Sequence, residues 1–259
     1  MLEYLFLIGV QVLAYLVGSV YYSSGIMATE NPSDPLNSIT LFVYILVATA
    51  IILLLLKLFK KGIIVLEGVA IFFSSELFFG AFLFFPLDIV LSSMLVILRF
   101  LFPSPLVLNA CLFFSVAGVG GLLGASLDVF PLLIFAGILM LYDFVSVFLT
   151  KHMVYMAKEI TSQPTALLAS FQDKRVSRTT GRRYFMLGGG DLVVPSLIFT
   201  SFALRVSFIS ALPILIFTAI GLSILKFLLI KYRRPLPALV VLVPMCVLGC
   251  LVGGIFAWW

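Results

Sequence analysis

The sequence predicts an all-α membrane protein of about nine transmembrane helices, and three observations carry that prediction. Hydrophobic residues make up 63% of the 259 and charged residues only 10%, whereas a soluble domain runs at about half and about a quarter. The mean hydropathy is +1.27. The apolar residues fall in runs of about 20, the length a helix needs to cross a bilayer core of ~30 Å. The basic residues, finally, gather in alternate loops between those runs.

Taken in order, the expected spans are 2–22, 39–58, 63–85, 87–102, 106–124, 129–150, 185–204, 208–230 and 238–258. The run over 5–22 is too long for the apolar core of a signal peptide and lacks a cleavage signal, so it counts as the first span. Residues 23–38, with Pro32, Asp34 and Pro35, read as a polar loop. The fourth span is the shortest. The whole chain, 1–259, reads as one polytopic domain, with spans one to six over 1–150, a cytoplasmic loop over 151–184 and spans seven to nine over 185–259. No length remains for a separate soluble domain.

Fifteen of the 16 basic residues close or follow spans two, four, six or eight, and Arg205 is the exception. Short loops rich in Lys and Arg stay in the cytoplasm. The N-terminus is therefore expected inside and the C-terminus outside, with Trp258 and Trp259 in the interfacial aromatic belt. The net charge of +5 is then a topology signal and implies no nucleic-acid partner. Three cysteines and one histidine provide neither a disulfide framework nor a zinc site, so no metal or cofactor is expected.

Four of the 11 acids lie inside apolar runs rather than at their ends: Glu67, Glu76, Asp143 and Asp191. An ionisable group at that depth costs a few kcal/mol or more, which makes each a functional candidate. Asp143 precedes Thr150 by seven residues, about 10 Å of helix. Asp191 follows Arg183 by eight, about 12 Å if the approach is helical. Spans six and seven, joined through one cytoplasmic loop, would bring the two carboxyls face to face. Gly188, Gly189 and Gly190 remove every Cβ just before Asp191 and allow close helix approach. Two carboxylates sharing a site of low dielectric cannot both ionise. That is the requirement of an aspartyl protease, in which the ionised partner draws a proton from the attacking water while the protonated one bonds the peptide carbonyl. A proton- or ion-coupled transporter uses buried acid pairs as well, and depth and composition alone do not choose between the two.

Three motifs do distinguish them. Tyr142-Asp143, Gly188-Gly189-Gly190-Asp191 and Pro237-Ala238-Leu239 resemble, in order and spacing, the YD, GxGD and PAL motifs of the presenilin and signal peptide peptidase family. The resemblance covers essentially the whole chain, and its small size is similar to the archaeal-type presenilin homologues. It implies an intramembrane aspartyl endopeptidase that cleaves transmembrane-helix substrates in the bilayer, with Asp143 and Asp191 as the catalytic pair. Tyr142, Gly188, Gly190, Pro237, Ala238 and Leu239 are implied as substrate-binding or supporting residues. It also implies the cell membrane of a microbe, and, with no long insert for self-cleavage, no obligate partner subunit; oligomeric state is left open. A prepilin-peptidase-like GxGD protease ranks second, since those enzymes have fewer spans and no YD or PAL pattern. A rhomboid-type serine protease needs a histidine within a span, and His152 lies in the basic loop.

The remaining features have structural expectations. Glu67 and Glu76, nine residues apart on different faces of span three, either line a water-filled cavity or bond neighbouring helices, and the second is expected. Cys246 and Cys250, and the glycines at 118, 120, 121 and 124, read as packing residues. Pro235 and Pro237 make a stiff strap that is not regular helix before the last span, with Pro237 suited to the first turn of that span. That strap and the segment 165–171 are the candidate edges on which an extended substrate could pair.

Overall fold

The computed structural model describes residues 2–58, 62–148, 165–172, 184–232 and 236–257. Among them the chain forms nine α-helices and one two-stranded sheet. The helices are α1 (Leu2–Ser24), α2 (Leu36–Leu58), α3 (Gly62–Phe82), α4 (Leu87–Leu101), α5 (Pro105–Ser126), α6 (Val129–Phe148), α7 (Gly189–Arg205), α8 (Phe208–Tyr232) and α9 (Leu239–Ala257). The strands are β1 (Leu168–Gln172) and β2 (Tyr184–Gly188). His152, Arg234, Pro235, Trp258 and Trp259 lie outside the described residues, as do most of the loop over 151–184 and Lys60 and Lys61.

Among the described residues five helices, α1, α3, α5, α6 and α8, are long and apolar enough by length and composition to cross a membrane. At 15 residues α4 reaches about 22 Å, short of a bilayer core, in keeping with the short fourth span.

Helix α5 is the axis of the bundle, packing against α1, α3, α4, α7 and β1. Ser104 caps its first turn by accepting from the Val107 N–H at 3.4 Å, and Pro105 occupies the position where a missing donor costs nothing. Its glycines set the helix separations. A Cβ on Gly118 would stand 2.3 Å from the Ser74 carbonyl oxygen, one on Gly121 2.6 Å from Val17 Cβ, and one on Gly124 2.7 Å from Thr200 Cβ. Lipid gives helices no hydrophobic reason to associate, so close backbone contact supplies the attraction, as expected for these glycines. Cys246 and Cys250 are buried free thiols on α9, also as expected.

The end of the bundle where α5 meets α6 is tied by one polar knot. Asp128, between α5 and α6, accepts from the Arg205 guanidinium and the Ser33 hydroxyl, and its N–H donates to the Pro32 carbonyl at 3.0 Å. Arg205 also donates to the Ala125 carbonyl at 2.8 Å and lies over the Tyr22 ring. The one basic residue that breaks the charge bias is thus paired. The Ser33 hydroxyl and then Arg205, against a smaller cost of burial, hold the Asp128 carboxyl below its ordinary 3.8. A carboxyl depressed on folding adds stability that is present above its unfolded value and lost as pH falls through the folded one. Thermal unfolding in detergent should therefore show a loss of melting temperature below about pH 4. In Asp128→Asn the plateau should start lower and that part of the acid loss should vanish.

One boundary differs from expectation. Span seven does not begin at 185: residues 184–188 are strand, antiparallel to 168–172 with Ala169 opposite Leu187 and Phe171 opposite Phe185. The helix starts only at Gly189. The apolar run Tyr184-Phe185-Met186-Leu187 reads equally as buried strand or as helix. What decides is the partner: Phe171, Phe185, Ala169 and Leu187 are buried against α1, α5 and α8.

Candidate active site

Asp143 projects from α6 into the bundle and is 5% exposed. Its Oδ2 accepts the backbone N–H of Leu239 at 3.1 Å. Asp191 is the third residue of α7, partly buried. Its Oδ2 accepts the N–H of Gly188 at 3.2 Å, which seats the carboxyl at the helix N-terminus, where the peptide dipoles favour negative charge. Four residues on, Pro195 lacks the N–H that would bond the Asp191 carbonyl. Helices α6 and α7 pack together. Each carboxyl commits Oδ2 to a backbone donor. Neither Oδ1 has a partner among the described residues.

The supporting residues divide. Pro237 and Ala238 are buried and non-helical, and α9 begins at Leu239, with the Leu242 N–H bonding the Ala238 carbonyl at 3.0 Å. The proline thus stands before the helix rather than in its first turn, and the break at 236–238 aims the Leu239 N–H at Asp143. A Cβ on Gly188 would sit 2.9 Å from Asp191 Oδ2, so only glycine leaves that carboxyl its place. Around Gly190 a Cβ would meet nothing within 4 Å, and the residue is exposed. Tyr142 stacks edge-on against Phe42 of α2, with ring centroids 5.8 Å apart.

The two strands form a ledge beneath Asp191. Both backbone groups of Ser170 bond the Asn109 side chain on α5, at 2.9 and 3.0 Å, so they point away from β2. By the alternation of antiparallel pairing, Ala169 and Phe171 bond β2, and the N–H and C=O of Met186 face outward. The ledge joins α7 through the Gly189 N–H, which donates to the Leu167 carbonyl at 3.0 Å. Segment 165–171 is therefore occupied along both edges at Ser170, and the edge left open is that of β2.

Glu67 is not in a water cavity. It forms a two-point ion pair with Arg99 of α4, at 3.2 and 2.9 Å, and accepts the Ala166 N–H at 2.5 Å. Arg99, counted above among the basic residues of the cytoplasmic face, is 6% exposed. Glu76 lies farther along α3, beside Asp88 and the Tyr21 hydroxyl around Gly80. Reading the sequence missed Asn109, Pro195 and the Glu67 to Arg99 pairing. The last had a signal, since an acid near the start of span three and a base near the end of span four fall at the same end of consecutive antiparallel spans.

A helical bundle that lodges two carboxyls on adjoining helices within its apolar interior is of the class of the intramembrane aspartyl proteases. Residues 4–258 match the family described as signal-peptide peptidase, presenilin aspartyl protease, and the chain belongs to it. The protein is an aspartic endopeptidase that works within the membrane. Two solved structures of a presenilin family intramembrane aspartate protease, in C222 and P2 space groups, superpose with a TM-score of 0.72 at 24% identity. Each alignment covers 98% of this chain, and 97% and 96% of the respective neighbours. No curated protein matches.

The glycine geometry yields an expected contrast. Gly188 has ordinary extended backbone angles, φ −66° and ψ 147°, so Gly188→Ala strains nothing but the contact with Asp191. Turnover on a helical membrane substrate should fall toward ~100-fold, the scale of an ångström of misplacement. Gly190→Ala should leave the melting temperature within a few degrees, and comparing both variants on folded protein checks the assignment.

Proposed function

We propose that Asp143 and Asp191 are the catalytic pair that hydrolyses peptide bonds within or near transmembrane helices of membrane-protein substrates. The observation that carries this reading is the arrangement of the two carboxyls. Each is anchored through Oδ2 by a backbone N–H, and each keeps Oδ1 for a shared proton and a water. The ionised member takes the proton of the attacking water as its oxygen bonds the peptide carbon. The protonated member bonds the carbonyl oxygen and then delivers a proton to the departing amine, so the pair ends the cycle holding one proton again. Pro237, Ala238 and Leu239 hold Asp143, and Gly188 makes room for Asp191.

A peptide bond inside a helix is shielded by its own hydrogen bonds, so the substrate must extend before it is cut. The outward N–H and C=O of Met186 provide the edge on which it regains those bonds, five residues before Asp191. The charge bias supports an N-terminus in the cytoplasm and a C-terminus outside. The test uses purified protein and a single-span peptide in detergent, then in liposomes. Two peptides cut at one site within the span support the reading. An intact peptide, with proton or solute flux in the liposomes instead, would sink it.

A further inference from the structure

The ion pair between Glu67 and Arg99 is a costly way to join two helices. Its side chains are 4% and 8% exposed, and burying two charges carries a desolvation cost that can exceed their attraction. A well-packed apolar pair of the same size holds helices together as well or better. What an apolar pair cannot do is accept a third hydrogen bond. Glu67 Oε1 takes the N–H of Ala166, 99 residues away in sequence, which is 2% exposed among Ile71, Leu95, Leu108 and Cys111. The next residue, Leu167, accepts the N–H of Gly189, and Asp191 follows two residues later. From the ion pair to the Asp191 backbone there are thus two hydrogen bonds and a few covalent links.

We propose that Glu67 and Arg99 are positioning residues for Asp191: Arg99 fixes the Glu67 carboxylate, and Glu67 fixes the start of the ledge on which the first turn of α7 rests. The ledge is short, two strands of five residues, and a two-stranded sheet is not stable by itself. It needs external anchors. Asn109 grips its middle at Ser170, and Glu67 grips its beginning at Ala166. Among the described residues the pair bonds neither Asp143 nor Asp191, and the strand carries its effect to the chemistry. The inference rests on Asp191 as a catalytic residue.

The test is the double variant E67M/R99M, which keeps the volume and removes both charges. Its melting temperature should stay within a few degrees of the parent and KM within about twofold. Its kcat per folded molecule should fall by at least about 10-fold, toward the ~100-fold of an ångström of misplacement. Amide exchange at Ala166 and Gly189 should quicken. E67Q/R99M restores an acceptor for the Ala166 N–H without restoring the ion pair, and it should recover most of the lost kcat and the exchange protection. The proposal is overturned if E67M/R99M keeps the parent kcat, if E67Q/R99M gives no recovery, or if E67M/R99M does not fold. The last result would make the pair a clasp between α3 and α4. Asp191→Asn is measured alongside: if it cleaves normally, the catalytic assignment has failed, a result distinct from any behaviour of the Glu67 and Arg99 variants.

Discussion

Asp143→Asn and Asp191→Asn should each lower turnover by about 10⁴-fold or more, the scale for removing one member of a catalytic unit. Both proteins should remain folded. An asparagine oxygen still accepts the N–H of Leu239 at position 143 or of Gly188 at position 191, so the anchors of both carboxyls survive. What is lost is the titrating proton, and one carboxyl cannot serve as both base and acid. The double variant should be little worse than either single one, because parts of one unit are not additive. Near-normal turnover in either single variant would contradict the pairing. In the parent, rate against pH should be bell-shaped, with two apparent constants that belong to the pair and to neither residue alone.

Replacing Leu239 by proline should cost turnover about 10- to 100-fold, the equivalent of ~1.5–3 kcal/mol for a hydrogen bond to a charged group. The substitution is selective because Leu239 opens α9, the helical position where proline is at home. It deletes only the N–H that holds Asp143 Oδ2 and, with it, a side chain that is 7% exposed. Leu239→Ala retains the N–H and controls for the lost side chain, so activity should rank parent, alanine, proline. If alanine and proline lose turnover equally, packing at 239 matters and the bond to Asp143 does not. Pro237→Ala tests the same strap from the other side. Relaxing the backbone before Ala238 should lower turnover with little change in melting temperature, whereas a proline that only starts a helix would lower stability alone.

Much of the architecture was legible in order along the chain. Lipid punishes exposed backbone and buried charge so strongly that span positions follow from apolar runs, and most helix ends fall within a few residues of those runs. The aspartates were legible for the same reason, since a carboxyl at depth must be paired or used. The strands were not. Phe185 to Leu187 has the composition of a span, and its pairing partners are 14 to 18 residues upstream across a polar stretch of sequence, so nothing local distinguishes strand from helix. Asn109 was equally hidden, because a single amide in a span gains meaning only from the strand it grips.

The sequence by itself determined the membrane-spanning class, the order of the helices and the presence of Asp143 and Asp191 within apolar runs, because these depend on what each residue costs in lipid. Tertiary structure alone decided which backbone N–H holds each carboxyl, why position 188 must lack a Cβ, and that Glu67 reaches the Ala166 N–H rather than a water-filled cavity. These are relations of a few ångströms between residues up to 99 apart, and they exist only once the helices have packed.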